Sequence, residues 1–345
     1  MRAVVVGAGL AGMTAGVLLK RKNWDVLVFD TREYLGGNCS DYKRDGVYVH
    51  RHGPHIFHTS DLRVWRFINE FTGFTGYVHH VMAHTGDPGT LLPIPYSKTT
   101  ERVIGRELSD SEIVDMFFRA YSERMWGCPY EEIPPQIINR VNLRRDNYDT
   151  RYFQDKYEGM PVNGYTAMFH EMALEVGHVQ VLLHSRPNAW RTWAESADLV
   201  VFTGSLDEYY DHNCGTLPYR AIGFGFKHNQ VQRSYPVVNY CAPGEASRTA
   251  YFGRFYDYGQ DGAMSTTCTE YPMAWNKEDD SLVPSYPMVG FPEANAILSE
   301  YLKIGAPANT IFCGRLGTYR YMNMDVVISD TMARLEQRLG GTVYA

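Results

Sequence analysis

Residues 3–12 read Ala3-Val4-Val5-Val6-Gly7-Ala8-Gly9-Leu10-Ala11-Gly12, and this stretch decides the fold. Small and β-branched apolar residues predict a buried strand, and the glycine-rich turn after them opens into a helix over 13–22. A second apolar run, Val26-Leu27-Val28-Phe29, ends at Asp30. Strand, helix and strand within about 30 residues imply a right-handed crossover between parallel strands. In this context Gly7-x-Gly9-x-x-Gly12 has a physical meaning. The first glycine makes the turn, the second lets the backbone approach a pyrophosphate, and the third lets helix and strand pack closely. The helix N-terminus adds free N–H groups and a positive dipole end. Asp30 is placed to accept hydrogen bonds from a ribose. A dinucleotide cofactor follows, with a glycine-rich packing turn that holds no ligand as the alternative.

Further along, Gly36-Gly37-Asn38 lies just past the second strand, and Gly46-Val47-Tyr48-Val49 predicts a short strand. Over 61–72, Leu62, Val64, Trp65, Phe67, Ile68 and Phe71 recur at helical spacing, with Thr59 or Ser60 as the cap. Residues 77–92 suggest a hairpin turning at Gly86, Pro88 and Gly89. The pattern over 101–140 is mostly helical, with Ser109 or Ser111 ahead of acids as helix starts. Residues 220–290 return to strand-like segments, and 298–302 and 326–339 read as closing helices. Strand and helix alternate at both ends, so the pattern predicts a discontinuous nucleotide-binding domain with insertions.

Composition narrows the function classes. With 345 residues, 44% of them hydrophobic, the chain can bury a sizeable core and fill two linked domains. Its net charge of −6, from 33 basic and 39 acidic residues, lacks the basic footprint of a nucleic-acid binder. No run reaches the ~18 apolar residues of a membrane span. The first strand starts almost at Met1 with no charged leader, so neither a signal nor a transit peptide is expected. Six cysteines without a C-x-x-C pair suggest reduced thiols and a cytoplasmic location. The 25 tyrosines suit a half-apolar, half-wet cleft for a sugar or planar ring, although strand filler accounts for most of them.

Arg32 with Gly36-Gly37 resembles the segment by which the FAD-binding family of amine oxidases and relatives wraps its cofactor, a plain turn being the alternative. At Gly53-Pro54-His55-Ile56-Phe57-His58-Thr59 the resemblance becomes specific. The chain resembles the UDP-galactopyranose mutases, flavoenzymes that interconvert pyranose and furanose forms of a nucleotide sugar. Tyr121-x4-Trp126-Gly127, Arg140, the run from Asp149 to Asp155, Tyr157-Glu158-Gly159-Met160-Pro161 and Gly164-Tyr165-Thr166 match in the same order. So do the run from Thr203 to Tyr210, Val238-Asn239-Tyr240, Ser247-Arg248-Thr249, Glu270-Tyr271-Pro272 and the run from Gly314 to Tyr321.

The resemblance implies a fold and a chemistry. The fold is α/β: a discontinuous Rossmann-like FAD-binding domain (1–75, 160–205, 300–345), an inserted small helical domain (93–145) and an antiparallel β-sheet substrate domain (76–92, 146–159, 206–299). The chemistry is a redox-neutral ring contraction on reduced FAD, whose N5 bonds the anomeric carbon as UDP leaves and later returns. It interconverts UDP-galactopyranose and UDP-galactofuranose, or a related nucleotide sugar. NADH or NADPH is the implied reductant.

Residue by residue, the resemblance implies that Arg140 and Arg248 clamp the diphosphate, a task suited to a guanidinium fork. Trp126 stacks near the uracil, and Phe117, one helical turn before Tyr121, lies on the same helix face as Tyr121, plain core packing being the alternative for both. Tyr121, Tyr152, Tyr286 and Tyr321 surround the diphosphate and sugar, joined by Asn239. His55 faces the flavin ring without being the nucleophile, so the catalytic set is Arg140, Arg248 and His55. The cofactor is lined by Gly7, Gly9, Leu10, Gly12, Asp30, Thr31, Arg32, Gly37, Asn38, His55, Ile56, Arg315, Tyr321, Asn323 and Met324. His50, His52 and His58 lie near His55, but no cysteine or carboxylate follows at a ligand spacing, so no metal is expected.

The chain departs from the family in places. The segment between Leu92 and Tyr121 is short, which puts a homodimer in doubt. Tyr251 stands where an acid is usual, Gly253 where a basic residue is common, and Asn323 where many members carry an acid. One residue is inserted between Arg140 and Tyr152, and a mobile loop is expected around 136–142. Tyr251, Gly253 and Asn323 are expected to border the site. The competing readings are an amine-oxidase-like flavin oxidoreductase, a non-catalytic flavin-binding module and an NAD-dependent dehydrogenase.

Overall fold

A computed structural model describes residues 1–86, 89–138, 143–177, 180–256 and 263–344. Arg2–Val6, the helix Leu10–Arg21 and Asp25–Phe29 form the expected β-α-β unit. They belong to a parallel sheet in the spatial order Thr310–Phe312, Leu199–Phe202, Arg2–Val6, Asp25–Phe29, Val181–Leu182. Ala3, Val4 and Val5 are fully buried, as a strand covered on both faces requires. The helix starts at Leu10, inside the glycine motif, because Met13 already bonds back to the Gly9 carbonyl.

A seven-stranded sheet carries most of the remaining β structure, in the order Tyr286–Pro287, Tyr219–Val231, Met264–Ala274, Arg248–Tyr251, Val237–Tyr240, Val81–His84, Leu91–Ile94. It is antiparallel except where Val237–Tyr240 runs parallel to Val81–His84. The helix Pro292–Ile304 runs across the expected domain boundary at 299.

Several local expectations change. The helix Leu62–Asn69 is capped by Asp61, whose carboxylate accepts the N–H groups of Arg63 and Val64. Thr59 accepts the Asp61 N–H and thereby orients the cap rather than providing it. Ser109 and Glu112 form a reciprocal capping box for Asp110–Ile113. A π-helical turn over Val114–Phe118 then precedes Arg119–Trp126.

Among the described residues no helix is long and apolar enough to cross a membrane. All six cysteines are unpaired.

Candidate functional site

The glycine turn and the end of the second strand form one unit. Asp30 accepts the Ala8 N–H through Oδ2 at 2.7 Å and the Arg32 N–H through Oδ1 at 2.8 Å. Gly36 donates to the Ala8 carbonyl at 2.9 Å, so the second glycine pair lies on the first. A Cβ on Gly12 would lie 1.8 Å from the Gly7 carbonyl oxygen, which is why helix and turn need glycine there. No side chain caps the first helix and no acid occupies its first turn. Its N–H groups and dipole end suit a pyrophosphate, and the Asp30 carboxylate has lone pairs left for a ribose. Arg32 Nη2 donates to Asn38 Oδ1 at 3.0 Å, and Cys39 contacts Met324 at 3.6 Å between sulfurs. The turn after the second strand thus meets the start of the last helix, Met324–Leu339, near Asn323. These residues fit a dinucleotide. Of the remaining expected lining, Leu10 and Ile56 are buried and Thr31 faces solvent.

Five strands of the larger sheet bring Ala83, Asn239, Arg248, Glu270 and Phe224 into one transverse row, each opposed to the next in register. Opposed residues share a face. Arg248 Nε donates to Glu270 Oε2 at 2.8 Å, and that carboxylate is only 3% exposed. Burial opposes ionisation of Arg248, but Glu270 beside it raises its pKa above the ordinary value. Glu270 Oε1 is buried without a hydrogen-bond partner. A Cβ on Gly53, whose φ is +76°, would lie 2.2 Å from that oxygen, so the Gly53-Pro54-His55 backbone passes over the carboxylate.

His55 is held at both ends of its residue. Its backbone N–H donates to His50 Nδ1 at 3.0 Å, and its own Nδ1 lies 2.9 Å from the Gly53 carbonyl. A carbonyl only accepts, so Nδ1 carries the proton and Nε2 keeps its lone pair. Burial, then His50, Arg315 and Arg248, push the imidazole down to about 3, which keeps it neutral.

Arg315 donates to the carbonyls of Ser285 and Met322 at 3.0 and 2.7 Å and lies 5.2 Å from the ring centroids of both Tyr286 and Tyr321. These rings stack at 5.4 Å, with Trp126 6.5 and 6.3 Å away. Burial and the neighbouring Tyr321 raise the Tyr286 phenol to about 12. Burial also raises Tyr121, which lies within electrostatic reach of Arg248, Tyr152, Glu270 and Tyr286. Both hydroxyls remain donors at neutral pH.

The structure thus brings together His55, Tyr121, Trp126, Tyr152, Asn239, Arg248, Tyr286, Arg315 and Tyr321. Phe117, within the π turn ahead of Tyr121, is 2% exposed in the main core and packs against Tyr96. Arg140 lies outside the described residues, as does most of the expected mobile loop; Pro135–Ile138 is a helical turn. Tyr251 falls on the opposite strand face from Arg248 and packs against Tyr235, and Gly253 donates to Ser265 under Gln232. Tyr251 therefore does not border the site as expected. Glu270 is the main residue that sequence reasoning left out. It stood in a matched motif, but only strand register pairs it with Arg248. Among the described residues no group of three or more histidines, cysteines or carboxylates converges as metal ligands.

The model of the UDP-galactopyranose mutase family matches residues 116–321, the span holding Tyr121, Trp126, Arg248, Tyr286 and Tyr321. The chain belongs to this family. It is a flavin-dependent mutase, an isomerase. An NAD(P)-binding Rossmann-like domain matches residues 5–71. A Klebsiella pneumoniae protein described as "Probable UDP-galactopyranose mutase" is 29% identical over 97% of this chain and 94% of its own. An Escherichia coli dTDP-fucopyranose mutase is also 29% identical, over 96% of each chain. The crystal structure of a reduced UDP-galactopyranose mutase superposes with a TM-score of 0.73 at 14% identity, covering 98% of this mutase and 95% of that chain. That likeness shows the fold.

Proposed function

We propose that this mutase interconverts UDP-galactopyranose and UDP-galactofuranose using FAD in its reduced form. The observation that carries the reading is one partly exposed guanidinium, Arg248, held by the buried Glu270 carboxylate and within electrostatic reach of the neutral His55 and of the phenols of Tyr121 and Tyr286. A cation beside hydroxyl donors suits a diphosphate that must first be held and then released with its negative charge. Bound reduced flavin would supply the nucleophile for the anomeric carbon, with no net redox change.

The chain's own residues would do the rest. Gly9 and the first helix would hold the pyrophosphate, and Asp30 the ribose. Arg248, with Arg140, would bind the sugar diphosphate and stabilise it as it departs. Tyr121, Tyr152, Tyr286 and Tyr321 would orient it by donating O–H bonds, with Asn239 alongside and Trp126 beside the base. His55, neutral, would set the flavin's position without exchanging a proton at neutral pH. We take NADH or NADPH as the reductant and the cytoplasm as the location; six unpaired thiols suit a reducing compartment.

A second reading, a dTDP-fucose substrate, is favoured by the equal identity to the fucopyranose mutase. Dithionite-reduced protein would be incubated with UDP-galactofuranose, and in parallel with dTDP-fucopyranose, and the products separated by chromatography. Turnover of the first sugar only in the reduced state supports the proposal. Turnover of the fucose nucleotide alone moves the substrate, and an inert flavin-loaded protein defeats both readings.

A further inference from the structure

The helix Arg119–Trp126 carries two of the proposed substrate residues, Tyr121 and Trp126, yet it spans only eight residues after a π turn. Such a helix has little intrinsic stability and takes its place from tertiary contacts. Two arginines supply them, in opposite directions. Arg124, on the helix, donates to four backbone carbonyls of one loop: Tyr240 and Ala246 from Nη1 at 2.8 and 2.6 Å, Ala242 from Nη2 at 2.6 Å and Gly244 from Nε at 2.6 Å. This loop joins Val237–Tyr240, which ends just after Asn239, to Arg248–Tyr251, which begins at Arg248. Arg220, on the sheet, donates back to the carbonyls of Arg124 and Met125 at the helix C-terminus, at 3.1 and 2.7 Å. Arg220 is itself opposed in register to Tyr286.

We infer that Arg124, braced by Arg220, is a positioning residue that sets Tyr121 and Trp126 at a fixed distance from Arg248. The inference rests on the nucleotide-sugar site proposed above. Its physical basis is donor geometry. Loop carbonyls have no ladder partner, and a planar fork with donors at fixed angles reaches four of them at once. A lysine at 124 brings the same charge but only three donors from one point. Without the fork, the loop leading into Arg248 and the helix would move independently.

The test compares Arg124→Lys and Arg124→Met with wild type by titration of the flavin-loaded protein with UDP and by steady-state turnover. UDP affinity is expected to fall about tenfold in Arg124→Met and less in Arg124→Lys, with KM rising in parallel and flavin content and absorbance unchanged. A double cycle with Arg248→Lys, read as UDP affinity, is expected to be non-additive, since Arg124 acts through the placement of Arg248. Unchanged UDP affinity in both variants, or strict additivity with Arg248→Lys, overturns the inference. Should Arg124→Met fail to fold, the lysine variant and its cycle still decide. Wild type that binds no UDP refutes the UDP-sugar reading, a result separate from any effect at Arg124, which is then read with dTDP.

Discussion

Arg248 and Glu270 oppose each other on neighbouring strands, 2.8 Å apart, with the second carboxylate oxygen buried and unpaired beneath Gly53. The pair explains how a guanidinium stays charged and oriented inside a cleft. One carboxylate oxygen fixes Nε, leaving the rest of the fork for a ligand. Removing Glu270 leaves the partly exposed Arg248 guanidinium without its buried counter-charge. We predict that Glu270→Gln lowers kcat/KM at least about tenfold and stability by about 3 kcal/mol, with flavin retained. Kinetics and urea unfolding of the loaded protein check both.

Arg248→Lys keeps a positive charge beside Glu270 but loses the planar fork. We expect kcat/KM to fall about a hundredfold and UDP binding to weaken, with the flavin spectrum as in wild type. A near-normal rate would mean that charge alone holds the diphosphate.

Two glycines of the first turn separate cofactor binding from folding. A Cβ on Gly9 would meet only Gly37 Cα at 3.8 Å, an ordinary contact, and its φ of −83° suits any residue. Gly9→Ala is therefore expected to fold normally and lose flavin, because the methyl occupies the space a pyrophosphate needs. Gly12→Ala would place its methyl 1.8 Å from the Gly7 carbonyl oxygen and is expected to disrupt the fold. Flavin content and melting of the apoprotein distinguish the two.

His50, His52, His55 and His79 are each lowered from an ordinary value of 6.5 to about 3, chiefly by burial. Unfolded, they take up protons below 6.5; folded, they do not until about pH 3. Their contribution to stability is complete above the unfolded value and is lost as pH falls through this window. Asp41, Glu158 and Asp325, raised by burial, act in the opposite sense. We expect the urea midpoint to drop between pH 7 and 5. His50→Asn, which keeps an acceptor for the His55 N–H but does not titrate, should reduce that drop.

Much of the fold was legible because it rests on local periodicity. Residues 3–30 carry strand, turn and helix signals within one crossover, and the match to the sheet is close. The last helix was also readable, although its true start at Met324 lies ahead of its apolar run. Phe117 lies in a π turn, where the 3.6-residue spacing used to relate it to Tyr121 does not hold. Tyr251 was set beside the site by counting from Arg248, whereas strand alternation turns it to the other face.

By itself, then, the sequence determined the nucleotide-binding turn and the family, and it named arginines, tyrosines and a histidine as candidates for the site. Those follow from contacts within a few residues, or from motifs that keep their order along the chain. Only the tertiary structure decided that Arg248 is paired with Glu270, that Gly53 must lack a side chain to pass over it, and that Arg124 ties Tyr121 to the loop before Arg248. These are relations between residues 22 to 217 positions apart, as the intervals 248–270 and 53–270 show. Strand register and loop closure create them, and neither leaves a periodic signal in the chain.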